Sequence, residues 1–313
     1  MLRVYSADEV HAALPWAELA DALEEAFIAG RTEVPLRHAH EVQGDGTLLL
    51  MPAWSADALG VKLVTVMPGA AAPGAGTVQA SYLLLDRATG APRALIDGEA
   101  LTLRRTAAAS ALAAQYLARP DAQRLLVIGS GRLAPWLAQA HAALQPELAH
   151  VEVWGRNADA AEGVVEALRD EGIDAEVALD LRAAVERADI VCCATTAREP
   201  LLHGAWLRPG VHVDLVGGFR RDMREADDAT VMRARIVVDT YAGALAEAGD
   251  LVQPLAHGVI TRDHIVGELA QLLRGEVRGR LADTDITLFK SVGTALEDLA
   301  AAQLVGGGSG SAR

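Results

Sequence analysis

The chain has 28 basic residues, and only two of them are lysines, Lys62 and Lys290. In a chain that otherwise uses Arg, an amine marks a different chemistry: a compact, titratable proton carrier. Lys62 stands in Val61-Lys62-Leu63-Val64, among strand-forming apolar residues, where a charge is costly without a partner. Arg37 follows Pro35 at the edge of the early strands, and Arg105 lies within Leu101-Thr102-Leu103-Arg104-Arg105-Thr106. Either guanidinium can hold a carboxylate bidentately. A partly buried Lys beside such anchors can titrate near neutrality and give a proton to a reacting C=O or C=N.

The second constellation is Gly129-Ser130-Gly131-Arg132-Leu133-Ala134, a G-x-G-x-x-A run directly after the apolar strand RLLVIGS (124–130) and opening a helix. The first glycine permits a tight turn, the second lets backbone approach a pyrophosphate, and Ala134 allows close helix–strand packing. The helix start adds unpaired N–H groups and a favourable dipole for phosphate. The next strand ends Val153-Trp154-Gly155-Arg156-Asn157. It has no carboxylate for a ribose 2′-OH, whereas Arg156 suits a 2′-phosphate, so NADP(H) is favoured over NAD(H).

The elements that must position these groups fall into two textures. Ser6-Ala-Asp-Glu9 is a capping box, and 15–31 has helical apolar spacing. Residues 46–52, 60–66, 78–85 and 93–96 read as strands bounded by turn residues, and an Ala-rich helix follows over 99–118. From 124 on, apolar strands alternate with helices: 124–130, 151–156, 174–179, 189–195, 212–218 and 235–240. That alternation predicts an α/β, doubly wound parallel sheet. Helices over 266–275 and 291–304 close the chain, and the final Gly/Ser-rich run reads as a flexible tail.

Composition narrows the function classes. The net charge is −14, against binding nucleic acid or an anionic membrane over the whole surface. An apolar content of 51% and two adjacent cysteines, Cys192 and Cys193, describe a globular chain without a disulfide framework. No uncharged apolar run of spanning length and no apolar leader is present, so a cytoplasmic protein is expected. His38 and His40 share a strand face, but no third metal ligand stands at useful spacing, so no metal is expected. Cys192 and Cys193 face opposite ways in a strand and are read as core. Glu225, Asp227 and Asp228 read as a helix start.

The segments GVKLVTV (60–66), LTLRRTAAAS (101–110), VIGSGRLA (127–134), VDLVGGFRRDMREAD (213–227) and DITLFKSVGTALEDLAAA (285–302) resemble the ornithine cyclodeaminase/μ-crystallin family. The resemblance implies a Rossmann domain over 119–284, inserted into an α+β substrate and dimerisation domain of 1–118 plus 285–313, and hence a homodimer. It implies Lys62, Arg37 and Arg105 as catalytic residues, with Arg105 also near the cofactor phosphates. It implies cofactor contacts at Gly129, Ser130, Gly131, Arg132, Leu133, Ala134, Arg156, Asn157, Thr195, Val216, Gly217 and Ser291. It implies a substrate pocket of Arg37, Lys62, Met51, Phe219 and Gly293. Lys290-Ser291-Val292-Gly293 matches a signature near the cofactor.

One departure separates the family's branches. Cyclodeaminases carry an Asp after the VGG-like turn to handle the substrate amine, and here Phe219 follows Val216-Gly217-Gly218. AHAAL (140–144) and VWGRN (153–157) resemble the ketimine reductases of Δ1-pyrroline-2-carboxylate and Δ1-piperideine-2-carboxylate. The expected function is therefore NADPH-dependent reduction of a small anionic cyclic imine to the L-imino acid. The alternatives are an NAD(P)-dependent alanine or N-alkyl amino acid dehydrogenase, an ornithine cyclodeaminase, and a non-enzymatic, μ-crystallin-like NADPH-dependent binding protein.

Overall fold

The computed structural model describes residues 2–42, 46–67 and 78–307. They divide into two units, one of residues up to Thr106 together with those from Thr294 on, the other Ala107–Gly293.

The first unit is built on β1 Arg3–Tyr5, α1 Ala7–Ala12, α2 Trp16–Ala29, β2 His38–Val42, β3 Gly46–Trp54, β4 Ala58–Val66, β5 Val78–Asp86, β6 Pro92–Asp97 and the start of α3 Gly98–Leu117. The box at α1 forms as expected: the Ser6 hydroxyl accepts from Glu9 N, and the Glu9 carboxylate accepts from Ser6 N at 2.9 Å. The six strands run in the order β1-β6-β5-β4-β3-β2, antiparallel except for the β1–β6 pair. Pairing aligns Met51 with Lys62, Lys62 with Tyr82 and Tyr82 with Ile96. Residues directly opposite share a face, so these four form one row across the sheet, and all four are buried.

The second unit holds β7 Arg124–Ile128, α4 Ala134–Leu144, β8 His150–Trp154, α5 Ala158–Asp170, β9 Ala175–Val177, α6 Leu181–Arg187, β10 Ile190–Cys193, β11 His212–Leu215, α7 Asp228–Arg233, β12 Ala234–Val238, α8 Tyr241–Glu247, α9 Gly249–Ala256, β13 Ile265–Glu268, α10 Leu269–Leu273 and β14 Ile286–Lys290. Every pairing is parallel, in the order β13-β12-β14-β11-β10-β7-β8-β9. The order turns back between β7 and β10, the switch point at which open α/β sheets bind ligands. Strands buried on both faces explain the continuous apolar runs. Leu126, Ile128, Val191, Cys193, Val213 and Leu215 belong to one core cluster.

The chain then returns to the first unit with α11 Ala295–Gly307, which packs on α2, β3, β4 and β5. Four sequence expectations change here. The strand Ile286–Lys290 pairs between β11 and β12, so it belongs to the second sheet and not to a first-domain segment opening at 285. The other division falls inside α3, after Thr106 and not at 119. The segment 266–275 is the strand β13 followed by a short helix, because Ile265–Glu268 completes an open sheet edge. The last helix starts at 295 and carries Gly306 and Gly307, which leaves only 308–313 of the expected tail outside the described residues.

Candidate active site

In the first unit the site grows from the buried row on the sheet. Lys62 is 2% exposed, and its Nζ donates to Asp298 Oδ1 at 2.9 Å and lies 2.7 Å from Oδ2. The Thr102 hydroxyl is 3.4 Å from the same nitrogen. Arg105, one helical turn beyond Thr102 on α3, donates from Nε to Asp298 Oδ1 at 3.0 Å and from Nη1 to Glu297 Oε2. Glu297 and Asp298 stand in the first turn of α11, where the helix dipole favours carboxylates.

Burial pushes the Lys62 amine down to about 8, against the opposing pull of Asp298. Burial would raise Asp298, but Lys62 and Arg105 together hold it below the usual carboxylate range. Burial also pushes the Tyr82 phenol far up, so it stays protonated. Lys62, Arg105, Glu297 and Asp298 are two cations and two anions, neutral in sum. An anionic substrate therefore needs a cation from outside this quartet. Arg37 is half-buried, and extending the β2–β3 register by one residue sets it opposite Met51, in line with Lys62.

The quartet revises the expectation for Arg105, whose guanidinium is committed to two carboxylates rather than presented whole to an anion. The sequence reading gave no role to Glu297 and Asp298. Their signal was two acids inside the apolar, Ala-rich run TALEDLAAA, which is costly unless they are paired.

In the second unit Gly129 closes β7 with φ of +126°, a conformation that side chains rarely adopt, and a Cβ there would meet Ala194 O at 2.6 Å. A Cβ at Gly131 would meet nothing within 4 Å. The N-terminus of α4, at Leu133 and Ala134, has no side-chain cap. Open space beside Gly131 and an uncapped helix start fit a pyrophosphate. Ser130 is half-buried and Arg132 exposed in the same turn. Beyond β8, Arg156 is exposed, while Asn157 caps α5 by accepting from Ala160 N at 3.2 Å.

Thr195, Val216, Gly217, Ser291 and Gly293 all follow the carboxyl ends of β10, β11 and β14. Phe219, just past the Val216-Gly217-Gly218 turn, is 42% exposed. Two buried carboxylates back these loops. Glu225 Oε1 accepts from Thr195 N at 2.6 Å and Thr195 Oγ1 at 2.9 Å, and Oε2 accepts from Gly217 N at 2.7 Å and Gly218 N at 3.2 Å. Asp239 Oδ2 accepts from Val292 N and Gly293 N, both at 2.8 Å. Asp227 caps α7 as expected, but Glu225 is not part of that helix start; it turns inward to orphan loop amides. Lys290 also turns inward: it is fully buried, with Nζ 3.2 Å from Asp250 Oδ2. It thus supports the loops from within.

Cys193 belongs to the core cluster, while Cys192 on the opposite face has its Sγ 3.2 Å from His141 Nε2 and donates to Asp214 Oδ2 at 3.5 Å. Burial raises the Cys192 thiol well above its ordinary range. This His141–Cys192–Asp214 group has metal-ligand chemistry and was not picked out from the sequence. His38 and His40 stack with ring centres 6.5 Å apart, and both are exposed.

Known proteins share both units. The Delta(1)-pyrroline-2-carboxylate reductase of Paracoccus denitrificans (strain Pd 1222) is 40% identical over 295 residues, covering 93% of this chain and 92% of that protein. The Delta(1)-pyrroline-2-carboxylate reductase of Thermococcus litoralis, solved with NADH and L-proline, superposes with a TM-score of 0.92 at 38% identity, covering 98% of this chain and 97% of that one. An archaeal alanine dehydrogenase dimer with bound NAD gives a TM-score of 0.90 at 30% identity over 98% and 95% of the two chains. The family model for the ornithine cyclodeaminase/mu-crystallin proteins matches residues 2–308, so the quartet of the first unit and the glycine turn of the second fall within one match, and the chain belongs to that family.

Proposed function

We propose that the protein is an NAD(P)H-dependent ketimine reductase, with NADPH preferred, acting on Δ1-pyrroline-2-carboxylate and Δ1-piperideine-2-carboxylate and giving L-proline and L-pipecolate. The observation that carries this reading is the buried Lys62–Asp298 pair, a proton donor held ready on the sheet face in line with Arg37. The 38% and 40% identity to reductases of Δ1-pyrroline-2-carboxylate supports the substrate class. The lack of an acid at the end of β8 and the presence of Arg156 support NADPH. The archaeal dehydrogenase dimer supports a homodimer.

The bound nicotinamide supplies a hydride, and the chain's own residues do the rest. Gly129, Gly131 and the start of α4 hold the pyrophosphate. Arg37 binds the substrate carboxylate. Lys62 Nζ gives its proton to the imine nitrogen as the C=N electron pair moves onto that nitrogen, and the amine regains a proton from solvent. Asp298 keeps Lys62 charged despite burial, and Arg105 with Glu297 fixes Asp298 in place. No metal and no nucleophile is required.

Because Lys62 titrates at about 8, the donor is charged below that pH and lost above it. The reduction rate is expected to be level on the acid side and to fall as pH rises through about 8. In Asp298→Asn the carboxylate that opposes desolvation is gone, so the alkaline limb moves down by about one pH unit or more. Rates at saturating imine across pH 6–10 check both; a limb that Asp298→Asn leaves in place removes Lys62 as the donor.

The function itself is tested by NADPH oxidation with either cyclic imine, with NADH and with pyruvate plus methylamine in parallel. Fast turnover of a cyclic imine with NADPH is expected. Turnover of only the open-chain pair moves the protein to the amino acid dehydrogenases. Dinucleotide binding without turnover makes it a binding protein. Faster turnover with NADH reverses the cofactor preference.

A further inference from the structure

The sheet order β8-β7-β10-β11 gives the dinucleotide site a direction. On the reading above, the 2′-phosphate lies by Arg156 after β8 and the pyrophosphate at the turn after β7. The loops after β10 and β11 come next and face the other end of the ligand. Those two loops are in direct contact. A Cβ on Gly217 would meet Thr195 O at 2.0 Å, and one on Gly218 would meet Asp250 Oδ2 at 2.1 Å. Both glycines are therefore demanded by what lies behind the turn.

The link between the loops is Glu225, fully buried, with two donors from Thr195 on one oxygen and two from Gly217 and Gly218 on the other. Asp250 Oδ1 fixes the backbone of this residue, accepting from Glu225 N at 2.7 Å and Ala226 N at 3.1 Å. We infer that Glu225 is a positioning residue for the dinucleotide: its carboxylate locks the Thr195 loop to the Val216-Gly217-Gly218 turn and so sets affinity for the nicotinamide end. This inference rests on the dinucleotide reading of the second unit.

Four donors converge on this group, so its ionised form is the one that holds both loops. A protonated acid turns one oxygen into a donor facing donors. Burial and the neighbouring Asp250 raise the Glu225 carboxyl to about 7, while Lys290 and the Thr195 hydrogen bonds oppose that rise. The Cys192 and Cys193 thiols are also near enough to feel this carboxylate, and burial keeps both neutral. Dinucleotide affinity therefore weakens as pH falls through about 7.

The test is equilibrium binding of NADPH and NADH to wild type and Glu225→Gln at pH 6 and 8, with melting curves for both proteins. For the wild type, the dissociation constant is expected to rise about tenfold from pH 8 to pH 6, the most that a single group titrating at about 7 gives over that interval. Glu225→Gln should bind weakly at both pH values, with a flatter slope. Titration of the 2′-phosphate itself is common to both proteins and cancels in the comparison. Equal affinities and equal slopes overturn the inference. Wild type that binds neither dinucleotide overturns the reading beneath it, and the inference with it. If Glu225→Gln fails to fold, Thr195→Val carries the test. It removes one bond that holds the carboxyl pKa down, so the pH midpoint of binding must move up, and an unmoved midpoint overturns the inference.

Discussion

Lys62→Met is expected to lower kcat for imine reduction by about a thousandfold, within the range that a positioned general acid contributes. Methionine keeps the apolar stem and removes only the proton carrier. Dinucleotide binding should be unchanged, because the proposed dinucleotide site is the glycine turn after β7. The single substitution also leaves Asp298 with Arg105 as its remaining cation at these distances. Breaking a buried pair costs about 3–5 kcal/mol, so a lower melting temperature is expected. Lys62→Met/Asp298→Asn removes both charges, and it should regain much of that stability while staying inactive. Single-turnover rates and melting curves separate the two effects. A Lys62→Met enzyme that keeps a substantial share of wild-type kcat sinks the proton-donor role.

Arg37→Ala is expected to lower kcat/KM for Δ1-pyrroline-2-carboxylate by about a hundredfold, the scale of charge-assisted hydrogen bonds to a carboxylate. The argument comes from charge balance. The quartet of Lys62, Arg105, Glu297 and Asp298 is neutral, so the cation proposed to meet the substrate anion is Arg37. The control is Δ1-pyrroline, the same ring without the carboxylate. Wild type should reduce it poorly, and Arg37→Ala should reduce it equally poorly. If Arg37→Ala lowers both substrates by the same factor, Arg37 does not bind the carboxylate.

The candidate site was legible where its chemistry is local. Gly129-Ser130-Gly131 after an apolar strand announces a phosphate turn within a few residues, because the tight turn and the helix start are built by neighbours in sequence. Lys62 stood out because a lysine in an apolar strand needs a partner. The identity of that partner was not legible. Asp298 lies 236 residues further along the chain, and nothing local pairs the two. Glu225 shows the same limit from the other side. In sequence it sits beside Asp227 and Asp228 and reads like them, as a helix start. The structure splits the group, sending Asp227 to cap α7 and Glu225 into the loops after β10 and β11.

By itself the sequence determined the two textures of the chain, the parallel α/β sheet, the tight glycine turn after β7 and the lysine that needs a buried partner. These follow from periodicity and turn stereochemistry, which act over a few residues. Tertiary structure alone decided where the last strand pairs, which acids neutralise Lys62 and Arg105, and which carboxylate holds the two loops together. β14 is apolar enough to enter either sheet, and only pairing with β11 and β12 places it. A buried charge must find its counter-charge wherever the fold brings one within reach, and that distance in space is not written in the distance along the chain.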